Sequence, residues 1–144
     1  MIYDPEVWGP HYWFFLHTIA ESYPATPNSV IKRKYYDLIQ NFPLFIPIEE
    51  MGNKFSDLID KYPVSPYLDT KESFVRWVHF IHNKMNYLTG KKEISFRHSL
   101  DMYRDNYKPK PVFFSEKFHF RKQYIYTAII LTCMFLIFIY YEAH

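Results

Sequence analysis

Apolar positions recur along the first hundred residues at the spacing of helices rather than strands. Trp13, Leu16, His17 and Ala20 follow i, i+3, i+4, i+7, and Tyr35, Leu38, Ile39 and Phe42 repeat the pattern. Met51, Phe55, Leu58 and Ile59 carry it onto a third segment. The fourth is the longest, with Phe74, Trp77, Val78, Ile81, Met85 and Leu88 on one face. Asp69 with Glu72 suits a capping box at its start, and Gly90 followed by Lys91 and Lys92 suits its end. A short fifth helix is expected near Ser95–Tyr103. Pro24, Pro27, Pro43, Pro47, Pro63 and Pro66 fall between the segments, where helices should stop. No alternation of period two emerges, so the fold class is all-α: a four-helix bundle with a short fifth helix.

The pattern changes after residue 107. Lys108-Pro-Lys-Pro111 breaks regular structure and opens a linker over 108–123. Residues 124–141 then read YIYTAIILTCMFLIFIYY, without a charge, glycine or proline. As a helix this run spans about 27 Å, with tyrosines at both ends where interfacial aromatics would lie. The alternative is a buried core helix, but a helix apolar on every face finds little to pack against in so small a domain. We therefore expect a transmembrane anchor over 124–141 behind a domain over 1–107. Lys117, Arg121 and Lys122 precede the run and only Glu142, Ala143 and His144 follow, which orients the N-terminal domain to the cytosol. Met1–Pro10 carries Asp4 and Glu6 and no apolar stretch, so no signal peptide is expected there.

Composition narrows the chemistry. The 144 residues are 49% hydrophobic and 22% aromatic, which excludes a disordered chain. A formal charge of +2 gives no case for nucleic acid. The single cysteine, Cys133, lies in the apolar run, so neither an intrachain disulfide nor a cysteine-based metal site can form.

Polar residues intrude on the apolar faces of two helices: His17 on the first, and His79, His82, Asn83 and Asn86 on the fourth. His79 and His82, three apart, could ligate a metal, yet no third ligand stands at an informative spacing. With Trp13 and Trp77 nearby, an aromatic, hydrogen-bonding pocket for a planar heterocycle explains the cluster better. Glu49 and Glu50 are adjacent and point apart on a helix, and no nucleophile or phosphate-loop motif is present.

Residues 8–24, WGPHYWFFLHTIAESYP, resemble the WGxxxWxxLHxxAxxYP opening of the Erv/ALR FAD-linked sulfhydryl oxidases. Phe74-Val-Arg-Trp77 followed by His82-Asn83-Lys-Met-Asn86 is similar to their FxxWxxxxHNxVN helix, with Gly90-Lys91 behind it. The resemblance spans 8 to about 104, and the anchor suggests the branch encoded by large cytoplasmic DNA viruses. It implies FAD as cofactor, a homodimer, and transfer of electrons from substrate thiols through a CxxC disulfide to FAD and then oxygen, giving peroxide. By positional match it assigns FAD contacts to Gly9, Trp13, His17, Tyr23, Trp77, His82, Asn83, Asn86, Lys91 and Tyr103.

One element of the family pattern is replaced. Where it reads Pro-Cys-x-x-Cys, this chain reads Pro47-Ile48-Glu49-Glu50-Met51. Neither an alkyl side chain nor a thioether can attack a disulfide or form one. No catalytic residue is therefore assigned, and three expectations stand. The chain is an oxidase whose flavin takes electrons from an external dithiol, a flavin-binding pseudo-oxidase with a structural role at a membrane, or a helical interaction module without flavin.

Overall fold

The computed structural model describes residues 3–109 and 115–143. These separate into two compact units, 1–107 and 108–144. Among the described residues no strand occurs.

The first unit holds α1 (Pro5–Glu21), α2 (Ser29–Asn41), α3 (Glu49–Lys61), α4 (Lys71–Leu88) and α5 (Phe96–Asp105), with short 3₁₀ turns at Phe42–Phe45 and Ser65–Tyr67. Four of the five helices start on a side-chain cap. Asp4, Asn28, Thr70 and Ser95 each accept an amide hydrogen from the first turn, satisfying a donor that the helix leaves open. The cap of α4 corrects the sequence reading. Thr70 takes the position expected of Asp69, and Asp69 instead holds Lys32 at 2.6 Å. Both are good capping residues, so a long-range ion pair is associated with the choice.

Helix α1 begins at Pro5, well before its apolar repeat, and carries Pro10 inside it. Pro5 occupies the first helical position, where its missing N–H is no loss. The α4 end follows the expected pattern. Gly90 adopts φ +73°, Lys91 N–H donates to Asn86 O at 2.8 Å, and Gly90 N–H donates to Tyr87 O at 3.2 Å. That left-handed turn closes the helix and points the chain back along it.

The bundle core lies between α1, α3 and α4, with Leu16, Phe55, Ile59, Phe74 and Ile81 almost wholly buried. Helix α3 also rests on the Phe42–Phe45 turn through Gly52, where an added Cβ would lie 2.9 Å from Pro43 O. Only a residue without a side chain permits that approach. Phe42, read from the sequence as the end of the second helix, belongs to this turn.

The second unit is described by α6 (Ser115–Glu142). Its helix starts within the segment expected to be linker, of which residues 110–114 lie outside the described set. Within it Lys122–Glu142, 21 residues of mean hydropathy 2.0, is long and apolar enough to cross a membrane, and none of it is buried within the chain. At 1.5 Å per residue it reaches about 31 Å, close to a bilayer's hydrocarbon thickness.

Candidate functional site

A cavity of about 660 Å³ opens between α1, the 3₁₀ turn after α2, the start of α3, the end of α4 and α5. That size suits a cofactor or drug-sized ligand. Its base is set by an imidazole pair. His17, buried on α1, and His82 on α4 meet at 3.2 Å between Nε2 and Nδ1, so one ring N–H donates to the other ring's bare nitrogen. Trp13, one helical turn before His17, stacks on His82 with ring centroids 4.0 Å apart and planes 9° apart. The spacing of Trp13 and His17 along α1 thus sets both against one residue of α4.

Burial pushes His17 down to about 4, with His79 adding to the shift, and pushes His82 down to about 3, with His17, His79 and Lys91 adding. Both rings are therefore neutral at physiological pH, and the site offers one uncharged donor–acceptor chain. Unfolded histidine takes up a proton near pH 6.5, above either folded value. Stability is thus complete above about pH 6.5 and is lost as the pH falls toward 4. His17 alone accounts for about 3 kcal/mol of that loss. Denaturant midpoints measured from pH 7.5 to 4.5 should hold to about pH 6.5 and then fall, less steeply in His17→Gln. A midpoint flat between pH 7 and 5 would contradict the buried neutral pair.

Most of the expected contacts meet here. Gly9, Trp13, His17, His82, Asn86 and Lys91 line the cavity, and Tyr103 joins them from α5. Tyr103 O–H donates to Thr18 Oγ1 at 3.3 Å and also pairs with the Tyr107 hydroxyl at 3.0 Å. Three expected residues stand elsewhere. Tyr23 is buried in the core with its O–H donating to Leu68 O at 2.8 Å. Trp77 is buried likewise, its Nε1–H donating to Tyr62 O at 3.0 Å. Asn83 grips the loop after α4 from behind, donating to Ile94 O at 2.8 Å and accepting from Ile94 N–H at 3.1 Å. Since Ile94 lines the cavity, Asn83 shapes the wall without forming it.

His79 and His82 diverge. His82 faces His17, whereas His79 Nε2 lies 3.2 Å from Asn83 Nδ2 and its ring meets Phe96 edge-on. Among the described residues no group of three or more potential ligands could hold a metal ion.

The sequence reading missed wall residues such as Trp8, Tyr12, Phe42, Met85, Ser99 and Asn106. Trp8 carries a direct sign of a ligand: its indole Nε1–H is buried without a hydrogen-bond partner. Such a group is costly unless something accepts from it. Gly9 adds a second sign, since a Cβ there would meet nothing within 4 Å. The wall is thus aromatic and apolar, with a stacking ring, a few polar edges and an orphan donor. These fit a large heteroaromatic cofactor. Lys91 and Lys92 at the rim suit an attached phosphate.

At the start of α3, Met51 turns into the cavity while Ile48 caps the helix without a side-chain hydrogen bond. Through Met51 the start of α3 therefore borders the site.

Comparison with known proteins agrees with this geometry. The chain is 32% identical over 108 residues to a protein of Acanthamoeba polyphaga mimivirus named as a probable FAD-linked sulfhydryl oxidase, covering 74% of this chain and 76% of that one. It is 28% identical over 99 residues to the FAD-linked sulfhydryl oxidase of African swine fever virus, covering 69% and 82%. Both relatives are viral, as the suggested branch requires. The crystal structure of the FAD binding domain of Erv1 from Saccharomyces cerevisiae superposes with a TM-score of 0.65 at 26% identity, covering 72% of this chain and 97% of that one. The family model described as Erv1 / Alr matches residues 10–108, and this chain belongs to that family.

Proposed function

We propose that residues 1–107 bind FAD in this cavity, that α6 anchors the domain to a membrane with the domain on the cytosolic side, and that any thiol oxidation at the flavin draws on a dithiol from outside the chain. The observation that carries the reading is the cavity wall: stacked Trp13 and His82 beside the unpartnered Trp8 indole N–H. When bound, FAD accepts two electrons from thiols and passes them to oxygen. The chain supplies the rest. Trp13 offers an aromatic face, the neutral His17–His82 pair offers donors and acceptors without charge, and Lys91 and Lys92 offer cations at the rim. Met51 fills the wall at the replaced motif, where a thioether packs well against aromatic rings but carries no thiol chemistry.

This makes the chain a flavoprotein of the sulfhydryl oxidase family without an internal electron relay. It serves as a membrane-bound pseudo-oxidase unless a partner protein presents the thiols. Exposed Phe15, Leu44 and Phe45 on the α1 side support the homodimer that the family implies. The test is an absorption spectrum of the full chain purified in mild detergent. A flavin band should persist through gel filtration, and dithiothreitol in air should yield no more peroxide than free FAD. A folded, colourless chain that cannot be reconstituted with FAD would overturn the reading. Peroxide well above the free-flavin rate would instead show that a small dithiol reaches the flavin directly.

A further inference from the structure

Among the described residues lining the cavity, Lys91 and Lys92 carry fixed charge, and no carboxylate is present. An acid that is not part of the wall reaches one of them. Glu6, in the first turn of α1 and two residues before Trp8, places Oε1 at 2.8 Å from Lys91 Nζ. The backbone of Lys91 is held by the turn at Gly90, whereas its side chain is 46% exposed and that of Glu6 is 73% exposed. The backbone therefore keeps the ammonium at the rim while leaving it free to choose between two anions. An exposed pair of this kind is weak, so it yields readily.

We propose that Glu6 is a latch on the cavity: it holds Lys91 until an anionic ligand enters, and it competes with that ligand for the ammonium. The proposal rests on the FAD reading, because FAD carries a diphosphate that Lys91 would hold, while riboflavin carries none. Glu6 therefore positions Lys91 and lowers the affinity for the phosphorylated flavin alone.

The test titrates FAD and riboflavin into the flavin-stripped full chain in detergent, followed by flavin fluorescence. Glu6→Gln should tighten FAD about two- to fivefold at low ionic strength, fading in high salt, and leave riboflavin unchanged. In a Lys91→Gln background the gain from Glu6→Gln should vanish. Glu93→Gln makes the same change in net charge at the Lys84 pair and should have no effect. Indifference of FAD affinity to Glu6→Gln overturns the latch alone, as does an equal gain for riboflavin or a gain that survives loss of Lys91. A chain that takes up neither flavin overturns the cofactor reading and the latch with it.

Discussion

The Ile48→Cys/Met51→Cys double variant should gain dithiothreitol-dependent peroxide formation once loaded with FAD, roughly 100-fold or more over the parent chain. That is a small part of what losing a catalytic nucleophile costs in well-studied enzymes. The backbone is already suited to it. Ile48 occupies the cap position of α3 with extended φ and ψ, and its carbonyl accepts from Met51 N–H at 3.0 Å and Gly52 N–H at 2.9 Å. A capping side chain lies against the amide of the third helical residue, here Met51. Sulfurs at these two positions should therefore reach each other, and the positive end of the helix would stabilise a thiolate. The position-51 side chain already borders the cavity. Thiol titration should show that the pair forms, and each single cysteine variant should stay inactive. A disulfide that forms and cycles with dithiothreitol while the flavin stays oxidised would sink the prediction.

Trp77→Ala should destabilise the domain strongly rather than merely empty it. Trp77 is 2% exposed, packs on Phe74, and satisfies Tyr62 O. Truncating a buried tryptophan costs about 3–5 kcal/mol, and the carbonyl left unpaired adds to that. Against a typical total stability of about 5–15 kcal/mol, the melting point should drop by about 15 °C or more. His82→Ala, at the cavity wall, should instead lose flavin while keeping its helical circular dichroism. If Trp77→Ala kept the parent melting curve and lost only flavin, Trp77 would be a ligand contact after all.

That contrast shows where the sequence was legible. The residues of the Trp77 face repeat at helical spacing because they pack one core, so the spacing revealed α4 and its neighbours. It could not separate core from site, because Trp77 and His82 sit on the same helix and only the partners across the gap, Tyr62 and His17, distinguish them. Resemblance to the family supplied the ligand class, and seven of its ten contacts line the cavity. Asn83 was assigned to the ligand, whereas it holds Ile94, eleven residues on, across a loop with no periodicity to announce the contact. The apolar repeat starts only at Trp13 whereas α1 starts at Pro5, so Trp8, the residue with the orphan donor, lay outside the pattern. The Asp69 cap failed because Thr70 is equally able and Lys32, far away in sequence, engages Asp69.

The contact of Gly52 with Pro43 O separates the seating of α3 from the chemistry at its first turn. Helix α3 is seated by backbone against backbone at Gly52, one residue past Met51, so that contact does not itself depend on the side chains at positions 48 and 51. Those two positions can drift without disturbing the seat, and a bound flavin would mask the drift from any assay of folding. Electron transfer at this turn would then be decided by the side chains at 48 and 51, while the seat of α3 is decided by a backbone contact beside them.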